Sequence, residues 1–488
     1  MEQLGTVDAL FAYSETPNTP MHIGQLLIYD PSTADGGAVR FKEILSYLES
    51  RLDGSRLFRR KLVRVPLDLD HPYWVEDSSF DLEYHVRHIA LPKPGNWRQL
   101  CIQVARIYAR PLDMSRPLWE FTVIEGLDKV AGVPAGSFAI LQKYHHAAVD
   151  GKAGVEMSHA LHDGDAHQKP RSFDMQWTPE AEPGSLDLLA RAHFNNIVNP
   201  IRGLRNLRKL VPVPKQLLGV RRQYQRQEQA RGGVPRSHFN TRLGPHRVFE
   251  GAEFALSDIK KVRAAFPGAT VNDVMIAIVS GAMREYLMTR DLLPEETLKF
   301  GVPVSIRTET GEENTGNEVA IMTVGAGTHL SRADDRLEFV VSETRRSKAI
   351  TKAMDPKSLM ELSGAMPAGL TASATKMMLR SGMVNRVSPA FNTAVTNVPG
   401  PLEAMYFAGA KLVKSWGTGV LAEGQGIFHV VTSYHGSVFL TFLADRDLMP
   451  DPEAYSQMLR SSFSLLLQCA APKKVKAPRA KSTKQKAD

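Results

Sequence analysis

Cysteine is almost absent: Cys101 and Cys469 are the only two in 488 residues. No CxxC or Cys/His zinc spacing occurs, so a disulfide framework and a zinc module are both excluded, and two lone thiols fit a reducing cytoplasm. Long apolar runs are missing as well. The longest uncharged stretch, residues 424–444, carries His429, Tyr434, His435 and Gly436. Its alternation on both sides of a Tyr-His-Gly turn predicts a β-hairpin, and no segment reads as a membrane span. The first residues, MEQLGTVDALFAYSETPNTPMHIG, contain neither a basic leader nor an apolar core and do not read as a secretory signal. Repeats of about 20–50 residues are lacking too, which excludes a solenoid or propeller.

Acidic residues are scarce in two places only. Residues 201–247 hold 12 Lys/Arg against Glu228, a local charge of +11, and residues 471–488 hold 7 against Asp488, a further +6. Taking both from the total of +8 leaves −9 for the rest of the chain. The isoelectric point of about 9.3 is therefore a property of two segments. A hydrophobic content of 43% and a charged content of 23% are those of a soluble globular protein. The length calls for roughly two or three domains rather than one core.

The chain divides accordingly. Residues 1–165 mix short strands (GQLLIYD, LWEFTVIEGL, SFAILQKYHH) with helical patterns (FKEILSYLESRL, WRQLCIQVARIYA), which predicts an α/β unit. Residues 166–247 form a basic crossover that begins with a polar break. In it Phe194, Ile197, Val198, Ile201, Leu204, Leu207 and Leu210 recur every three or four residues with arginines between, a basic amphipathic helix interrupted at Pro200. Its apolar face either packs on the body or lies on an anionic membrane. A second α/β unit covers residues 248–470, with the helix TVNDVMIAIVSGAMREYLMTR and the strand FGVPVSIR. Residues 471–488 make a basic, Ala/Pro-rich tail that reads as disordered.

One motif carries chemistry: His145, His146, Asp150 and Gly151 in the pattern HHxxxDG, with an apolar strand leading in and a helix-compatible segment leading out. Adjacent side chains on a strand point to opposite faces, so the two histidines share a pocket only if the strand has already ended. Neighbouring histidines make poor joint metal ligands, and no second cluster completes a set. Asp150 in a helix-capping role and His145 in the core would be purely structural. An imidazole such as His146, held at a strand end beside a helix start, is well placed as a base near neutral pH.

HHAAVDG, together with MHIG at 21–24, Pro117-Leu118-Trp119, Asn272-Asp273, PVSIR at 303–307 and NVPGP at 397–401, resembles the bacterial wax ester synthase/acyl-CoA:diacylglycerol acyltransferase family, whose motifs run in this order over roughly residues 1–470. The resemblance implies an α/β fold of two chloramphenicol-acetyltransferase-like domains, with mixed sheets flanked by helices and an active-site tunnel at the interface. It implies acyl-CoA as a substrate, a long-chain alcohol or diacylglycerol as acceptor, and neither metal nor cofactor. His146 would be the general base, His145 its support, Gly151 the turn residue, and Asp150 an architectural residue paired with Arg307. Pro117, Leu118 and Trp119 would lie near the acyl or alcohol pocket, and Asn272 and Asp273 near the CoA path; helix capping is the structural alternative for the last two. No serine or cysteine nucleophile is required, in keeping with the absence of a GxSxG elbow.

Greasy substrates imply a cytoplasmic enzyme that visits a membrane or lipid-droplet surface, for which a basic amphipathic helix or a polybasic tail suffices. An acyltransferase of the same fold using a different alcohol or a carrier-bound acyl donor is the neighbouring reading. A non-catalytic lipid-surface protein is another, against which an intact HHxxxDG argues. Nucleic-acid binding rests on isoelectric point alone, without a recognisable motif or aromatic platform.

Overall fold

The strands that alternation predicts in the first third of the chain are present in a computed structural model, which describes residues 1–149, 151–167, 178–179, 181–206, 218–219, 233–305, 319–355 and 366–471. In chain order the strands are β1 (Glu2–Gln3), β2 (His22–Asp30), β3 (Arg60–Val63), β4 (Tyr73–Glu76), β5 (Val86–Ala90), β6 (Trp119–Glu125), β7 (Phe138–His145), β8 (Arg247–Ala255), β9 (Lys299–Ser305), β10 (Val319–Gly325), β11 (Thr393–Val398), β12 (Tyr406–Phe407), β13 (Ala410–Thr418), β14 (Ile427–Tyr434) and β15 (Ser437–Asp445). The helices used below are α1 (Thr6–Ser14), α2 (Phe41–Glu49), α3 (Trp97–Tyr108), α4 (Gly151–Leu161), α5 (Ser185–Asn206), α6 (Val271–Met288) and α7 (Ala368–Arg380).

Two six-stranded mixed sheets dominate, in the orders β12-β13-β2-β7-β6-β5 and β10-β9-β11-β14-β15-β8. This is the mixed-sheet α/β architecture expected. Helices cover the sheets because their apolar residues recur on one face. In α3, for example, Leu100, Cys101, Val104, Ala105 and Tyr108 are buried, and a capping box between Asn96 and Gln99 fixes its start. The predicted hairpin is β14–β15, closed by His435 and Gly436, both with positive φ. The NVPGP segment begins with the last two residues of β11, and its Gly400 lets the chain approach that hairpin: a Cβ there would stand 2.1 Å from the Ser433 carbonyl oxygen.

One feature of the topology has no local signal in the sequence. After β11 the chain leaves the second sheet, and β12 and β13 join the first, where β13 pairs antiparallel with β2 from Lys411↔Asp30 to Thr418↔Gly24. β13 thereby becomes the seam between the halves. Trp416 packs against Trp97 at 4.9 Å and Phe439 at 4.8 Å between ring centroids, and Thr432 Oγ1 donates to the Ser415 carbonyl at 2.7 Å. The indole N–H of Trp97 donates to Glu250 at 2.5 Å across the same seam. The first hydrophobic core accordingly takes in Phe249, Tyr434, Phe439 and Leu443 from the second half.

The crossover helix α5 differs from expectation at one point. It runs through Pro200 instead of breaking there. A proline removes one backbone hydrogen bond and can bend a helix without ending it. Among the described residues no helix is long and apolar enough to cross a membrane.

Candidate active site

β7 is buried along its whole length and ends at His145, after which residues 146–148 form a turn. The strand therefore stops between the two histidines, and their rings go different ways. His145 is fully buried. Its N–H donates to the Leu118 carbonyl at 2.9 Å and its carbonyl accepts the Ala148 N–H at 2.9 Å. Its Nδ1 accepts the Ala147 N–H at 3.1 Å, so the ring proton of the neutral form belongs on Nε2. That nitrogen faces Glu15 Oε2 at 3.2 Å, in charge contact rather than an aligned hydrogen bond. The same carboxylate oxygen accepts the Met21 N–H at 2.9 Å, and the Met21 carbonyl accepts the His146 N–H at 2.7 Å. Glu15, Met21 and the two histidines thus form one closed circuit. The His146 ring is half-buried and stacks on Phe11, with centroids 3.9 Å apart and planes inclined by 5°.

The MHIG segment braces this turn from β2. His22 stands opposite His145 in the ladder. Its Nε2–H donates to the Tyr108 carbonyl at 2.6 Å, and the Tyr108 hydroxyl donates back to the His22 carbonyl at 2.6 Å. Burial, reinforced by the nearby Lys143 ammonium, holds the His22 pKa well below the ordinary histidine value, so its ring stays neutral. Gly24 permits the close strand approach: a Cβ there would lie 1.8 Å from the Gln142 carbonyl oxygen. Lys143 is itself buried and donates to the carbonyls of Arg110 at 2.9 Å and Ile107 at 3.3 Å. Burial lowers its pKa, and Glu120 opposes that shift.

The remaining motif residues separate. Leu118 packs with Ala147, beside the histidines, and with Ala9, Ala12 and Tyr13 of α1. Pro117 accepts the Trp119 N–H at 2.9 Å. Trp119 begins β6 and points into the core, where its indole N–H donates to the Phe58 carbonyl at 2.9 Å and its ring stacks on His85 at 4.5 Å. Gly151 opens α4, as the helix-compatible segment after the motif required. Asp273 lies in the first turn of α6 and closes a capping box, its carboxylate accepting from the Thr270 N–H at 2.8 Å and hydroxyl at 2.7 Å. Asn272 lies beside it, with a buried Oδ1 that has no hydrogen-bond partner among the described residues. Asp150 and Arg307 lie outside the described residues, and so does the ion pair expected between them. No group of three His, Cys, Asp or Glu residues suited to a metal ion occurs among the described residues.

Phe11 and Glu15 carry no motif and went unnoticed in the sequence. Their four-residue spacing at the end of a short helix, which places them on one face, is the signal that could have found them.

Two mixed six-stranded sheets joined through β13, with a histidine turn at the end of β7, make up the two-domain fold of the chloramphenicol-acetyltransferase and condensation-domain type. The fold is shared with the first condensation domain of the calcium-dependent antibiotic synthetase, at a TM-score of 0.56 and 13% identity over 96% of this chain and 97% of that one. Family identity comes from closer matches. Residues 4–275 match the wax ester synthase/diacylglycerol acyltransferase catalytic domain, and residues 315–467 match the C-terminal domain of the same family. A Mycobacterium tuberculosis relative, provisionally named a diacylglycerol O-acyltransferase, is 30% identical over 96% of this chain and 91% of its own. The O-acyltransferase WSD of Acinetobacter baylyi is 29% identical over 92% and 93%. The wax ester synthase/diacylglycerol acyltransferase of Marinobacter aquaeolei superposes with a TM-score of 0.67 at 25% identity, covering 96% of this chain and all of that one. The chain belongs to the wax ester synthase/diacylglycerol acyltransferase family and is an acyltransferase.

Proposed function

We propose that the protein transfers a long-chain acyl group from acyl-CoA directly to the hydroxyl of a long-chain alcohol or a diacylglycerol, with His146 as general base. His146 removes the hydroxyl proton as the oxygen attacks the thioester carbonyl. The carbon–sulfur bond breaks, the ester leaves, and the imidazolium returns the proton to the CoA thiolate. No acyl-enzyme forms. The observation that carries the reading is the division of labour at the end of β7. His145 is sealed in by Glu15 and the turn amides, while His146, one residue later, is half-buried and held flat against Phe11. Ring stacking sets the plane of the base and the Met21 contact fixes its backbone, a positioning that proton transfer in the transition state requires.

Asp150 and Gly151 serve the turn in this reading, Asp150 through an ion pair with Arg307. Thiol release from palmitoyl-CoA by the purified protein tests it, with hexadecanol, diacylglycerol or buffer as acceptor. The wild type is expected to release CoA only with an acceptor, and His146→Ala to lose at least about 100-fold of that rate, the usual range for a general base. Equal release by His146→Ala in the presence of alcohol would rule out the base. Release stimulated by neither acceptor would rule out the substrate class.

A further inference from the structure

On one side of the molecule two helices carry large apolar side chains on their outer faces. In α5, Leu188 and Ala192 pack inward with Val65 and Tyr73, and Asn195 and Asn196 also face the protein: Asn195 Nδ2 donates to Asp70 Oδ2 at 2.7 Å, and Asn196 Nδ2 donates to the Leu69 carbonyl at 2.9 Å. Leu186, Phe194 and Ile197 nevertheless face solvent, with Phe194 63% exposed. A surface helix normally turns such side chains inward. Helix α7 repeats the pattern. Its inner face is small, with Ala368 and Ala372 buried. Its outer face carries Leu370, Met377 and Met378, with Met377 69% exposed; their spacing of seven and eight residues puts them on one stripe.

The two helices are joined by the turn Pro66–Asp68. Leu69, directly after it, receives Asn196 of α5, and Asp68 pairs with Lys376 of α7. Leu67 and Asp68 both take left-handed backbone conformations, φ 58° and 50°, which L-residues rarely adopt. That geometry lifts Leu67 out of the protein to 88% exposure, at the crest between the helices. The turn thus touches both helices, and the exposed apolar side chains of the three elements lie on neighbouring parts of one side of the protein. Arg64, Arg191, Lys376 and Arg380 stand around it against Asp68 and Asp187, and α5 leads on into the segment of net charge +11.

We infer that this face docks the protein on an anionic lipid surface, with Leu67, Phe194, Leu370 and Met377 entering the interfacial layer and the basic rim meeting the headgroups. Apolar insertion flanked by cations is the chemistry of reversible interfacial attachment, and the positive rim selects an anionic bilayer over a second copy of this chain. Location adds a functional reason. Ala372, on the inner side of α7, packs in one cluster with Ala9 and Ala12 of α1 and with Ala147, and α1 carries Phe11 against His146. The docking face thus lies one helix pair away from the histidine turn, on the side from which a membrane-dissolved acceptor would come. The inference deepens the proposed function and rests on it for the identity of the acceptor, but it is read without turnover.

The test uses the full chain and sedimentation with vesicles of phosphatidylcholine alone or containing phosphatidylglycerol. The wild type is expected to bind the anionic vesicles and to lose binding as salt rises. The triple variant Leu67→Ser, Phe194→Ser, Met377→Ser changes exposed side chains only, so its thermal midpoint is expected to match the wild type while its partition coefficient falls about 100-fold, near what three lost insertions imply. Wild-type binding by the triple variant would overturn the inference, as would loss of binding on truncation at residue 471 alone. So would a wild-type dimer that becomes monomeric in the triple variant with vesicle binding unchanged. Thiol release with a detergent-dispersed acceptor, measured in parallel, separates failure of docking from failure of the enzyme assignment.

Discussion

Glu15 offers the sharpest perturbation of the histidine turn, because one of its oxygens meets both Met21 and His145. Glu15→Ala strands the Met21 N–H, which that oxygen accepts at 2.9 Å, and removes the carboxylate that faces His145 Nε2 at 3.2 Å. A buried donor left without an acceptor costs about 1–3 kcal/mol, so the variant is expected to lose roughly that much stability and several degrees of thermal midpoint. The loss also frees Met21, whose carbonyl holds the His146 N–H. A displacement of the base by about 1 Å costs on the order of 100-fold in rate. Glu15 is a positioning residue in this scheme, so kcat should fall while KM for palmitoyl-CoA stays constant. Glu15→Gln keeps an oxygen for Met21 and removes only the charge opposite His145. It should lose about 1 kcal/mol and about 5–10-fold in kcat, as for one weakened charge contact. Thiol release at saturating hexadecanol, combined with thermal melts, reads both quantities. Wild-type kcat and midpoint in Glu15→Ala would refute the circuit, and so would an effect confined to KM.

Two further expectations concern buried titratable groups. Burial holds the pKa of His22 well below the ordinary value of 6.5, that of His162 down to about 4 and that of His429 down to about 3. The unfolded chain takes up these protons first, so the contribution of each ring is complete above pH 6.5 and is lost as pH falls toward its folded value. At pH 5 His162 and His429 each cost about 2 kcal/mol, and urea unfolding at pH 7 and pH 5 should show the difference; equal midpoints would contradict the buried neutral state. Cys101 is buried, and burial followed by the Glu250 charge raises its pKa well above the usual thiol value, whereas Cys469 is exposed. A thiol reagent should therefore titrate one cysteine in the native protein and two in denaturant, and two reactive thiols in the native state would be the contrary result.

Most of what repeats locally was legible in the sequence. β2, β6 and β7, helices α2, α3 and α6, and the β14–β15 hairpin follow from period and turn residues alone, since those patterns are set by neighbours along the chain. HHxxxDG was legible as chemistry, and the condition that the strand must end between its histidines follows from strand geometry. Three things were not. The sheet a strand joins depends on partners far away, so nothing in residues 406–418 tells that they leave the second half for the first. The apolar stripe through Phe194 and Ile197 allowed either packing or lipid, and the burial of Leu188 and Ala192 together with the hydrogen bonds of Asn195 and Asn196 to the body decides which side of α5 faces in. Phe11 and Glu15 sit in an unremarkable helix end, and their importance exists only once the chain returns, about 130 residues later, with His145 and His146.

The placement of β13 also sets an order of events during synthesis. β2, directly preceded by Met21, whose carbonyl holds the His146 N–H, has β7 on one side and β13 on the other. On a ribosome β2 and β7 emerge early, yet the outer edge of β2 stays bare until residues 411–418 have been made. Until then the nascent chain carries an open strand edge next to its histidine turn, and the sheet is completed only when β13 arrives. An N-terminal fragment released before that point would carry both histidines on an unfinished sheet.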